Sequence, residues 1–150
     1  MTVVFDHPFR VGWADVDFNA HMRNSAFLDR ASDTRMLYFD SIGLGVAKLI
    51  EMRLGPVIMR DELEYMREFR LTEEFRVQHQ IAGLAEDCSR YRIRNTFLKS
   101  DGKMAARITS TGGYLDLDQR RLVAPPLHVQ ELLRAIARTD DFEELPSSIK

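Results

Sequence analysis

The stretch WADVDFNAHMRNSAFL, residues 13–28, decides how the rest of the chain is read. It sets two carboxylates (Asp15, Asp17), His21 and Asn24 directly before an apolar segment of helical period. From Asn24 or Ser25, either of which can cap a helix, Phe27, Ala31, Thr34, Tyr38 and Ile42 recur on one face. Asp29, Asp33 and Asp40 fall on the other, and Gly43 and Gly45 supply the stop. A helix start presents backbone N–H groups without intrahelical partners, and the macrodipole adds to their preference for negative charge. Such a start can hold an oxyanion, while a carboxylate beside it can activate water or attack a carbonyl carbon.

Upstream, residues 3–14 (VVFDHPFRVGWA) are rich in β-branched and aromatic residues and read as a strand running into the loop. Downstream, after the variable stretch VAKLIEMRLG, residues 57–67 read as a strand of imperfect alternation with a helix as competitor. Residues 74–82 alternate cleanly, with Phe75, Val77, His79 and Ile81 on one face. In residues 90–98, Tyr91, Ile93 and Phe97 oppose Arg90, Arg92 and Arg94, and the tract SDG at 100–102 turns the chain into a strand from about Met104 to Leu117. Pro125 and Pro126 end that strand, a helix is expected over about 128–138, and the acidic tail 140–150 is expected to be mobile. Residues 1–150 thus read as one domain with its core over about 3–118, and the order of elements is that of an α+β fold: an antiparallel sheet around one long helix.

Composition narrows the function classes. Apolar residues make up 45% and charged residues 29%, an ordinary globular balance. A net charge of −2 gives no field to attract nucleic acid. No apolar run reaches the roughly 20 residues that span a bilayer, and the first residues lack a signal-peptide layout, so a cytoplasmic protein without membrane insertion is expected. The single Cys88 has no partner for an internal disulfide. His7, His79 and His128 lie far in sequence from His21, which offers no metal-ligand spacing.

The 13–28 segment resembles the signature of the 4-hydroxybenzoyl-CoA thioesterase group of the hot-dog superfamily. That group has an Asp-x-Asp at a strand end, a His-containing loop, and an aromatic residue opening the helix; here these are Asp15-Val16-Asp17, Ala20-His21-Met22-Arg23-Asn24 and Phe27. Arg35 matches an arginine common in the group, and the resemblance covers most of residues 5–118. It implies a hot-dog fold and hydrolysis of an acyl-CoA to free acid and CoA, with Asp17 as general base or nucleophile and the Asn24 backbone N–H polarising the carbonyl. It also implies an acyl-CoA substrate with no separate cofactor, sites at subunit interfaces, and a homodimer or homotetramer. Ala20 stands where many members have glycine and Phe27 where many have tyrosine; alanine resists the positive φ that glycine tolerates.

Each residue also has a plainer reading. Asp17 could simply cap a turn. Asp15, two positions earlier, should point to the opposite side and serve structure through backbone hydrogen bonds or a basic partner. His21 could orient substrate or hold the loop. Arg23, Ser25 and Phe27 complete the set expected near substrate, and Arg90 and Arg92 could receive CoA phosphates unless the Arg90–Arg94 ladder is only a solvated face. Arg35, within the apolar arc of the helix, calls for a carboxylate partner in a buried ion pair. Two rival functions follow: a non-catalytic acyl-CoA or fatty-acid binding protein, and a hot-dog hydratase or dehydratase, which would need a different acid and base pairing, typically a His on the helix or its lead-in with a partnering carboxylate; the helix itself carries no histidine.

Overall fold

The computed structural model describes residues 2–149. In chain order it contains β1 (Phe5–Arg10), α1 (Asn24–Ser41), α2 (Val46–Glu51), β2 (Leu54–Tyr65), β3 (Glu74–Ala85), β4 (Arg90–Lys99), β5 (Met104–Asp116), β6 (Arg121–Val123), α3 (Leu127–Arg134) and β7 (Arg138–Leu145). The strands form one sheet in the order β1-β3-β4-β5-β2, with β6 added to β5 and β7 to β3. α1 lies across its inner face, the arrangement of a hot-dog fold.

The burial pattern explains why α1 sits so close to the sheet. Ala26 and Ala31 are fully buried, and these small side chains let the backbone approach the strands. Phe27 enters an aromatic cluster with Phe69, Phe75 and Phe97, with ring centroids 4.6–6.0 Å apart. Each ring buried this way contributes roughly 1.5–3 kcal/mol. A second cluster of Ile81, Tyr91, Ile93, Tyr114, Val129 and Leu133 fills the other half of the fold beneath α3. The alternation read over 74–82 and 90–98 holds: Phe75, Val77, His79 and Ile81 face Phe97, Asn95 and Ile93 on the buried side.

The strand of imperfect alternation is β2, and its irregularity has a cause. The β2–β5 register shifts between Ile58 and Arg60, so Met59 is a bulge residue and the inward phase changes midway along the strand. β4 and β5 form the expected hairpin, with Gly102 at φ +86° in the turn.

Three expectations are corrected. The first strand ends at Arg10 and is followed by a 3-10 turn over Trp13–Asp15. The carboxy-terminal helix stops at Arg134, and the segment beyond it, expected to be mobile, forms β7 parallel to β3. Acidic composition concealed this strand, because its charges are matched across β3: Asp141 accepts from Arg94 at 2.7 Å and Glu143 pairs with Arg92. Arg94 holds the Asp141 carboxyl down to about 2. Leu145 packs where β3 has Gly83; a Cβ there would lie 3.0 Å from the leucine side chain.

Candidate active site

The loop between β1 and α1 is a small closed hairpin. Val16 bridges Met22, Asp17 N–H donates to the His21 carbonyl (2.8 Å), and Ala20 N–H donates to the Asp17 carbonyl (3.0 Å). The two aspartates separate as their spacing demands. Asp15 is buried, where its Oδ2 accepts the Gly12 N–H at 2.9 Å and its Oδ1 pairs with Arg30. Asp17 is exposed, and its Oδ1 accepts N–H groups from Asn19 (2.9 Å) and His21 (3.3 Å). The plain reading of Asp17 as a turn cap is therefore true of one oxygen. Ala20 sits at φ +60°, so the loop keeps the left-handed conformation that glycine would adopt without strain.

Neighbouring side chains brace the hairpin. His21 Nδ1 lies 3.1 Å from Glu68, and His21 also bridges Arg70, which ties the loop to the segment ahead of β3. Arg23 donates to the Ala14 carbonyl and, through Nε at 2.9 Å, to Ser25 Oγ. Arg23, rather than Asn24 or Ser25, is the N-cap residue, and no side chain caps the helix. Asn24 instead takes the Ser25 N–H on its own Oδ1 at 3.0 Å. The Ala26 N–H goes to the Arg23 carbonyl, which leaves the Asn24 N–H without a partner among the described residues.

That helix start borders an open cleft of about 660 Å³ lined by Met22, Asn24, Phe27, Tyr65, Arg67 and Lys99, among others. Phe27 belongs mainly to the core, 3% exposed. Tyr65 at the end of β2 brings a hydroxyl to the helix start: its ring stands edge-on to Phe27 at 5.3 Å and its Oη donates to the Asn24 carbonyl at 3.3 Å. Arg67 donates to the Met104 carbonyl at 2.7 Å, and Lys99 lies over the Phe69 ring at 4.9 Å while contacting Glu73 at 2.8 Å. Sequence reasoning missed Tyr65, Arg67 and Lys99. The aromatic and basic run YMREF at 65–69 was the available signal, but only folding brings it to the helix start.

Arg90 and Arg92 stand apart from this cleft. Arg92 is paired with Glu143, Arg90 Nε donates to Ser148 Oγ at 3.3 Å, and neither lines the cleft. The ion pair expected at Arg35 does not form either: its Nη2 donates to Ser32 Oγ at 2.9 Å, while its Nη1 is buried without a partner among the described residues. No group of three or more His, Cys, Asp or Glu among the described residues is arranged to hold a metal ion, and no helix there is long and apolar enough to cross a membrane.

Several solved structures share this architecture. A hypothetical protein from Staphylococcus aureus, in complex with CoA, superposes with a TM-score of 0.81 at 21% identity, over 91% of this chain and 87% of that one. A 1,4-dihydroxy-2-naphthoyl-CoA thioesterase from Synechocystis gives 0.78 at 14% identity, over 88% and 96%. An acyl-ACP thioesterase from Bacteroides thetaiotaomicron gives 0.79 at 22% identity, covering 98% of this chain and 58% of its own. At these identities the likeness is one of fold. No curated protein matches in sequence. The family model of the thioesterase-like superfamily matches residues 11–134, from the end of β1 through α3, and the chain belongs to that superfamily.

Proposed function

We propose that the chain is an acyl-CoA thioesterase in which Asp17 is the catalytic carboxylate and the Asn24 N–H polarises the thioester carbonyl. One observation carries this reading: an exposed aspartate fixed through Oδ1 stands in the loop that leads directly to an unpartnered N–H at the mouth of a cleft. The CoA-bound neighbour and the neighbours that are thioesterases support it.

In this reading the thioester oxygen accepts from Asn24 N–H, where the dipole of α1 favours the charge that develops on it. Asp17 then either removes a proton from water, which attacks the carbonyl carbon, or attacks that carbon itself, expelling the CoA thiolate to form a mixed anhydride; water opens the anhydride to the free acid and Asp17 carboxylate and supplies the proton for the thiolate. In the first route the tetrahedral adduct expels the CoA thiolate, which takes back the proton held by Asp17. His21, held by Glu68, and Arg23, tied to Ser25, keep the loop in place. Arg67 and Lys99, on the cleft wall, are placed to receive the CoA phosphates. The reaction calls for no cofactor or metal beyond the CoA of the substrate.

The working unit is a homodimer, alone or paired into a tetramer. Among the described residues β2 pairs in the sheet with β5 alone, so no strand lies along its other edge. Ile58, Met59 and Tyr65 on that strand are exposed, as are Trp13 (81%) and Phe18 (100%) on the catalytic loop. An open edge beside apolar surface is the pattern that a second copy covers.

A panel of acyl-CoA esters assayed with a thiol-reactive dye tests the proposal. Thiol release by the wild type and its loss in Asp17→Asn are expected. Failure to cleave any ester at saturation would leave a binding protein, and full activity in Asp17→Asn would remove the aspartate from the mechanism.

A further inference from the structure

A second cavity, of about 280 Å³, lies between α1, α2 and the β2 and β4 strands, and it shares no lining residue with the cleft at the helix start. Arg35 follows Asn24 by about 16 Å of helix axis, so the two spaces lie at different heights along α1. The wall is apolar, with Met36, Phe39, Leu49, Ile58 and Ile93 among its residues, and Arg35 is its only charged side chain.

That charge is badly satisfied. Arg35 has one side-chain partner, Ser32, and a buried Nη1 with none. Burial pulls its pKa down, against an attraction from Asp61. Asp61 is itself held by the Ser110 hydroxyl at 2.5 Å, and it does not line the cavity. A guanidinium taken out of water without a carboxylate in contact is costly, and an apolar residue of similar size would serve packing better. A ligand carrying the missing acceptor offsets that cost. The planar guanidinium fork matches a carboxylate, and the apolar wall suits the hydrocarbon attached to it. A phosphate or another strongly hydrated anion would lose its water shell against that wall without adequate replacement.

We propose that this cavity binds an apolar carboxylate, with Arg35 as its counter-ion. Two molecules present that chemistry: a free fatty or aromatic acid, such as the product of thioester cleavage, or the far end of an acyl group that carries a second carboxylate.

Binding is tested first without any reaction, by titrating the full chain with octanoate, octanol and octylammonium in a calorimeter. Octanoate is expected to bind at least about tenfold more tightly than octanol, as one charge-assisted contact provides, and octylammonium not at all. Arg35→Met should abolish the preference for octanoate, and Leu49→Trp, which fills the cavity and leaves Arg35 in place, should abolish binding. Equal affinity for octanoate and octanol, no octanoate binding at millimolar concentration, or an undiminished preference in Arg35→Met overturns the proposal. Should Arg35→Met fail to fold, the wild-type comparison and Leu49→Trp still decide.

A second arm separates the two sources and rests on the thioesterase reading. If the far end of the acyl group is the ligand, the eight-carbon dicarboxylic half-thioester has a lower KM than octanoyl-CoA, and Arg35→Met removes the difference. If the free acid is the ligand, octanoate inhibits the wild type and not Arg35→Met. Thiol release from neither ester would count against the thioesterase reading and leave the calorimetric result standing.

Discussion

The two ends of α1 present opposite solutions to the same problem of placing charge against a sheet. At the amino end the polar groups stand at the surface: Asp17 is exposed, the Asn24 N–H is free, and the cleft is open. Three turns on, Arg35 is sunk into an apolar wall above a buried, neutral His79 that stacks on Tyr38 at 4.4 Å. Charge at the first end is cheap to keep and free to react, whereas charge at the second is costly and becomes useful only when something pairs with it. One helix thereby separates the proposed reactive site from the proposed selective one.

The sharpest way to break this contrast is to neutralise the exposed end. Asp17→Asn should lower kcat by about 10²–10⁴-fold, the range of a lost acid–base group, while thermal unfolding barely changes. The asparagine carbonyl can still accept the two N–H groups that fix the loop. A loss of activity accompanied by a collapse in Tm would show that the residue acts structurally instead.

Asp15, two residues away, should do the reverse. Asp15→Ala strands the Gly12 N–H and leaves Arg30 with Asp33 alone, at 2.6 Å, and should cost about 1–3 kcal/mol in denaturant unfolding, the range of an unsatisfied buried hydrogen-bonding group. Activity per folded molecule should fall less than in Asp17→Asn.

The buried end has its own pH signature. The His79 imidazole is driven down from 6.5 to about 3, first by burial and then by the charge of Arg35. Between those values the unfolded chain binds the proton that the folded chain refuses. Stability should therefore be fully present above about pH 6.5 and fall as the pH drops toward 3, by about 1.4 kcal/mol per pH unit. Urea melts from pH 7 to 4 would show this slope, and His79→Leu should flatten it.

The smallest effect concerns the loop backbone. Ala20→Gly relieves a left-handed alanine and adds freedom to the unfolded chain, for a net gain of about 0.5–1 kcal/mol. Both kcat and KM should stay near wild type, since the loop geometry does not change.

How much of this was legible depends on how far each feature reaches along the chain. α1, its glycine stop, the opposite placement of Asp15 and Asp17, and the clean faces of β3 and β4 all follow from neighbours a few residues away, and all appear in the structure as read. β2 was harder because its bulge at Met59 shifts the alternation midway. β7 was missed because its acidic residues look solvated until Arg92 and Arg94 are placed opposite them. Arg35 was expected to find a carboxylate, and the one that attracts it, Asp61, is held by Ser110 instead.

By itself, the sequence determined that a helix starts just after the carboxylates, because periodicity and the two-residue alternation of a strand are local physics. Only the tertiary structure decided which groups surround that start. Tyr65, Arg67 and Lys99 arrive there through pairing of β2 and β4 with β5. It alone also decided that the Arg90–Arg94 ladder would be met by β7 and that Arg35 would be left with a cavity. Those outcomes depend on which charges meet across a sheet, and distance along the chain carries no record of that.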